Sequence, residues 1–124
     1  MKGIAFWFYG LAVLFVTAGM IWGIQMAASG DHTLLSAHAH LNLVGWVTFA
    51  LIGVYYHLVP AAAQTTLAKA HLGLAVLGVV LMVPGIAIAV SGGSEGMAIA
   101  GSMLTLAAML IFVWTVWKSG LSAG

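Results

Sequence analysis

Histidine is the residue type in this sequence that could carry chemistry, and two of the five histidines are only two positions apart. They are His38 and His40, in a chain that is 64% hydrophobic and 4% charged. On an α-helix, residues two apart point about 200° from each other, so these two cannot easily bind one metal together. A neutral imidazole in an apolar slot suits haem iron. The alternative interpretation is that both rings hydrogen-bond to backbone or water.

The elements that carry these histidines must lie in a membrane. A soluble domain has about a quarter of its residues charged, whereas this 124-residue chain has five charged residues, three of them lysine. A water-facing surface cannot be built from so few charges. The predicted fold is therefore an all-α integral membrane protein in contact with the lipid bilayer.

Composition also excludes several functions. The chain has no arginine and a formal net charge of +1, so it lacks the basic clusters that neutralise nucleic-acid phosphates. It has no cysteine, which excludes disulfides and thiolate metal sites. No nucleophile–base set, phosphate loop or carboxylate pair supports a hydrolase or a transferase.

Four apolar segments are long enough to cross a bilayer, which requires about 20 helical residues. They cover residues 4–26, 34–59, 66–90 and 97–117, separated by short polar breaks. These segments predict a single domain, residues 1–124, folded as a bundle of four transmembrane helices.

Charge predicts the orientation of this bundle. Its three lysines, at positions 2, 69 and 118, fall on one side, and Asp31 and Glu95 fall on the other. Lysine favours the cytoplasmic side of a membrane. We therefore expect both termini to be cytoplasmic, in a bacterial inner membrane. His38 and His40 would then lie near the outer face, and His57 and His71 near the inner face.

The stretch from His38 to about Val83 resembles the tenth and eleventh helices of haem-copper oxidase subunit I, the cytochrome c oxidase subunit I superfamily. That family has a His-x-His at the outer start of the tenth helix and often a Lys-x-His at the start of the eleventh. The matching segments, which cover somewhat over a third of the chain, are His38-Ala39-His40, residues 45–53, Tyr56-His57-Leu58-Val59-Pro60, Ala68-Lys69-Ala70-His71 and Leu77-Gly78-Val79.

The resemblance implies that two haems, of type b, are bound through His38 and His40 as iron ligands. His38 matches the high-spin haem ligand and His40 the low-spin one, while His57 and His71 match positions that are not ligands. Asn42, one turn from His38, could steady that ring or a haem propionate, although a helix–helix hydrogen bond is an equal alternative. Gly45 could leave space for a macrocycle one turn below His40.

The chain also departs from that family. Subunit I has twelve spans in three arcs of four helices, whereas this chain has four and lacks the histidines of the copper site, so copper is not expected. Closed cyclic symmetry could complete the arrangement by homo-oligomerisation. A homotrimer is favoured, with each haem shared between His38 of one copy and His40 of the next.

Three functions follow from these observations. The first is a b-type haem protein that transfers electrons, with quinol or a redox protein as its partner. The second is a haem enzyme or gas-binding protein with one open axial position. The third is a non-haem structural or transport subunit whose histidines are ordinary interface residues.

Overall fold

Four long helices make up the bundle in the computed structural model, which describes residues 1–121. The first span is Gly3–Ser29, the second Leu35–Leu58, the third Thr66–Val90 and the fourth Gly96–Ser119. The shortest has 24 residues, about 36 Å of helix, which exceeds the bilayer core of about 30 Å. The predicted four-helix membrane fold is confirmed, and the third span begins and ends at the predicted residues.

The connections between the spans are short. A single helical turn, Pro60–Ala63, joins the second span to the third, and the Thr65 hydroxyl caps the third span by accepting from the Ala68 amide at 3.1 Å. The first span is followed by Gly30, whose φ of 70° is a left-handed conformation that glycine adopts without strain. Next to it, the side chain and amide of Thr33 both donate to Asp31, which lowers the pKa of that carboxyl.

The third and fourth spans pack closely because glycines line their contact. A side chain at Gly85 would meet the backbone of Ala98, and one at Gly101 would meet the backbone of Met82. Small residues of this kind let membrane helices approach each other. The third span continues through Pro84 without a break in the helix.

The core of the bundle is aromatic and lies in the half that contains the start of the first span and the end of the second. Phe8 of the first span is fully buried, with its ring centre 5.3 Å from that of Phe49 and 4.9 Å from that of His71. Tyr56 is also buried there, next to Phe112 of the fourth span. This cluster joins all four spans. It holds in place the part of the second span that follows the His38–His40 pair.

The second span contains a π-helical segment, Leu41–Thr48, directly after His40. Its wider register is visible at Thr48, whose hydroxyl donates to the carbonyl of Leu43, five residues earlier, at 2.8 Å. π-Helical turns are rare in proteins, and those that do occur are often found at functional sites. The hydrophobic pattern did not predict this segment.

Candidate functional site

His38 packs against the second half of the first span. Its Nε2–H donates to the carbonyl oxygen of Gly19 at 2.9 Å, and the Trp22 ring meets the imidazole edge to face with ring centres 5.9 Å apart. A Cβ atom at Gly23 would lie 3.3 Å from Nε2. Gly23 therefore leaves room for the His38 ring, whereas the space beside Gly19 is taken by Asn42.

His40 is held by its own helix instead. Its Nδ1–H donates to the carbonyl oxygen of Ser36 at 2.7 Å. Because the carbonyl can only accept, Nδ1 carries the proton, and Nε2 of the neutral ring keeps its lone pair. An Nδ1–H bond to a backbone carbonyl is the usual way in which a metal-binding histidine is oriented.

The two histidines flank a buried stripe on the second span. Ala37 and Leu41 are buried, and His38 and His40, on either side of that stripe, are both half-buried. The rings therefore lie on different sides of one helix, and each can be reached from outside the chain. Binding of iron by either ring stays a prediction.

A groove of about 630 Å³ opens beside His38, within the roughly 300–1,000 Å³ range of small-molecule and cofactor sites. Apolar side chains make up most of its wall, and His38 and Asn42 supply its polar atoms; the lining residues are Val16, Gly19, Met20, Gly23, Ile24, Ala27, His38, Asn42 and Trp46. A side chain at Gly19 or Gly23 would project into the space that His38 and Asn42 use. These residues fit a flat apolar cofactor.

Asn42 lies beside His38, as the one-turn spacing predicted. Its Nδ2 is 3.3 Å from Nε2 of His38, and its Oδ1 is buried against Gly19 without a hydrogen-bond partner among the described residues. With the amide turned over, Oδ1 would accept from the Nε2–H of His38. In either orientation the amide borders the imidazole nitrogen.

Gly45 does not leave the open space that was expected below His40. The Phe15 ring of the first span occupies it, at 3.1 Å from the position of a Cβ atom, and Gly45 is buried. The small residue is used for helix packing, because an aromatic side chain fills the gap. The glycines that border the His38 groove are Gly19 and Gly23, four residues apart on the first span.

The other histidines lie apart from this site. His57 is exposed and lines a cavity of about 400 Å³ with Lys2 and Gln64, whereas His32 is in the loop between the first and second spans. His71 is fully buried in the aromatic core, where its Nδ1 is 2.8 Å from the Tyr56 hydroxyl. Sequence reasoning missed this pair because its members are 15 residues apart, on two helices.

Within residues 1–121, no group of three or more His, Cys, Asp or Glu side chains could hold a metal ion. Haem iron needs only one or two protein ligands. Comparisons with protein families, curated proteins and solved structures gave no match. The resemblance to subunit I therefore remains a prediction.

Proposed function

We propose that this chain is a membrane-embedded b-type haem protein that transfers electrons, with His38 and His40 as axial ligands of the iron. The observation that carries the proposal is the arrangement of these two imidazoles. They lie on different sides of one helix, both half-buried, one beside a cofactor-sized groove and the other with its Nε2 lone pair free. Quinol or a redox protein is the proposed electron partner.

Bound haem would supply one-electron redox chemistry, and each protein group has a separate task. The Ser36 carbonyl fixes the tautomer and orientation of His40. The apolar wall of the groove excludes water from the haem edge, and Asn42 offers a polar group next to His38. Ligation through Nε2 of His38 requires that this ring give up its hydrogen bond to Gly19.

The separation of the two rings also supports the proposed homotrimer. Because His38 faces the first span while His40 lies across the buried stripe, one flat haem cannot easily bind both rings of a single copy. A haem between copies can bind His38 from one chain and His40 from its neighbour. In a closed ring, both histidines of every copy then bind a haem. Chemical crosslinking that yields only monomers, with haem still bound, would contradict this assembly.

The deciding experiment is an absorption spectrum of the purified protein, oxidised and reduced, with haem extraction. We expect a sharp low-spin b-type α-band, lost in both His38→Ala and His40→Ala. His57→Ala is the matched control, because His57 is exposed at the opposite end of the second span. Absence of a Soret band after expression with added haem would refute the proposal and leave a structural or transport subunit.

One observation favours a second candidate, a haem protein with an open axial site. His38 is already hydrogen-bonded through Nε2 to Gly19, whereas Nε2 of His40 is free, so His40 could bind iron alone. Carbon monoxide distinguishes the two functions, because a six-coordinate bis-histidine haem leaves no open position. Rapid carbon monoxide binding by the reduced protein, with the spectrum unchanged in His38→Ala, would establish the second function.

A further inference from the structure

A small cavity lies inside the bundle between the second, third and fourth spans, away from the His38 groove. Its volume is about 20 Å³, and a buried site needs roughly 10–15 Å³ to hold one water molecule. Apolar side chains form most of its wall, and three polar residues complete it: Thr48, His71 and Thr105.

Two polar atoms at this cavity are buried without a partner among the described residues. They are Nε2 of His71 and Oγ1 of Thr105. His71 is fully buried, so that bulk water does not reach its ring. A buried polar group without a hydrogen bond costs about 1–3 kcal/mol, and two such groups facing one cavity indicate a shared ligand.

The hydrogen bond at the other ring nitrogen of His71 determines whether Nε2 presents a donor or an acceptor to the cavity. The Tyr56 hydroxyl lies 2.8 Å from Nδ1. When this hydroxyl donates, Nδ1 is the acceptor and the neutral ring carries its proton on Nε2. Nε2–H then points a donor at the cavity, while the hydroxyls of Thr48 and Thr105 can both accept and Thr105 can also donate.

We propose that this cavity binds one internal water molecule, which accepts from Nε2–H of His71 and bonds to the hydroxyls of Thr105 and Thr48. Three partners match the usual number for a buried water. The Thr48 hydroxyl already donates to Leu43 in the π-helical segment, so it serves the water as an acceptor. The water joins Tyr56 and His71 to the fourth span in one hydrogen-bonded row.

Nuclear Overhauser contacts between water and methyl groups test the proposal directly, in protein with labelled alanine methyls. Ala75 and Ala108 line the cavity. Ala12 is equally buried but lies outside it, which makes it the control. We expect a water contact at the methyls of Ala75 and Ala108 and none at Ala12. Absence of contact at both cavity methyls would overturn the proposal.

Thermal stability gives an independent test with a matched pair of substitutions. Thr105→Val removes the cavity hydroxyl at nearly constant volume. Thr17→Val makes the same change on the first span, away from the cavity, where the hydroxyl donates to the carbonyl of Val13 at 2.8 Å. If water is bound, Thr105→Val lowers Tm more than Thr17→Val and shifts the His71 Nε2 resonance. If the Tm of Thr105→Val is higher than that of the unsubstituted protein, the cavity is dry and the proposal is refuted. The substitution would then have removed an unpaired polar atom.

Discussion

At the scale of single residues, the two histidines of the His-x-His motif differ in their hydrogen-bond partners. His38 and His40 were predicted from spacing to point apart, and the structure gives them different partners, Gly19 and Ser36. The approximate directions followed from helix geometry alone. The partners did not, because they depend on which helix packs alongside and on where glycine leaves room.

Filling the groove at Gly23 tests whether the space beside His38 binds haem. A Cβ atom there would already lie 3.3 Å from the His38 ring, and overpacking costs about 1–3 kcal/mol. We expect Gly23→Leu to weaken haem binding by about tenfold or more, measured by haem titration in detergent. Gly73→Leu is the control, because Gly73 faces open space. Equal haem affinity in both variants would exclude this groove as the haem site.

The Tyr56 hydroxyl has a predicted effect on stability. Tyr56→Phe leaves Nδ1 of the buried His71 without its partner at 2.8 Å, and an unpaired buried group costs about 1–3 kcal/mol. We expect the free energy of unfolding in mixed micelles to fall by about that amount. Tyr9→Phe, at a partly exposed tyrosine of the first span, should change it little. If the two variants are equally stable, the Tyr56–His71 hydrogen bond contributes nothing.

At the scale of elements, hydrophobic length was sufficient to place the four spans but not to describe their interiors. The predicted third span, 66–90, matches the observed Thr66–Val90, because polar residues end the apolar run at both sides. The π-helical segment Leu41–Thr48 could not be predicted. Hydropathy does not distinguish an α-helix, with backbone hydrogen bonds between residues four apart, from a π-helix, with bonds between residues five apart. Packing decides which of the two forms.

Deleting one residue from the π-helical segment tests its role in placing the histidines. Leu43 is exposed, and its removal lets an α-helical register form. Replacing π-helical turns by α-helical ones changes the angle between successive residues, which would turn His38 relative to the aromatic core and separate it from Gly19. We expect haem binding to be lost while the helical circular dichroism remains. Leu43→Ala, which keeps the length, is the control; retained haem binding in the deletion variant would contradict this role.

At the scale of the whole molecule, the surface is apolar around the bundle and charged only near its ends. Large hydrophobic side chains such as Leu14, Ile24 and Met103 are exposed, as lipid contact requires. Lys118 lies near the Trp114 ring, 5.9 Å from its centre, where a cation and an indole at a membrane interface are favourable. Composition alone was enough to predict a membrane protein.

The absence of cysteine from the chain makes the predicted orientation easy to test. Ser94 lies in the loop before the fourth span, and Gln64 in the connection before the third. With the lysine side in the cytoplasm, a membrane-impermeant maleimide should label Ser94→Cys in intact spheroplasts and leave Gln64→Cys unlabelled until lysis. The reverse pattern would place both termini outside.

The hydrogen bond between His38 and Gly19 has a consequence for biogenesis. An imidazole that faced the acyl chains with no partner would oppose insertion of the nascent chain, because an unpaired polar group in hydrocarbon is costly. Here the first span supplies the partner as soon as the first two helices meet. Insertion and folding of the helices therefore do not depend on the proposed haem, so we expect complete chains to accumulate in the membrane even when haem is scarce.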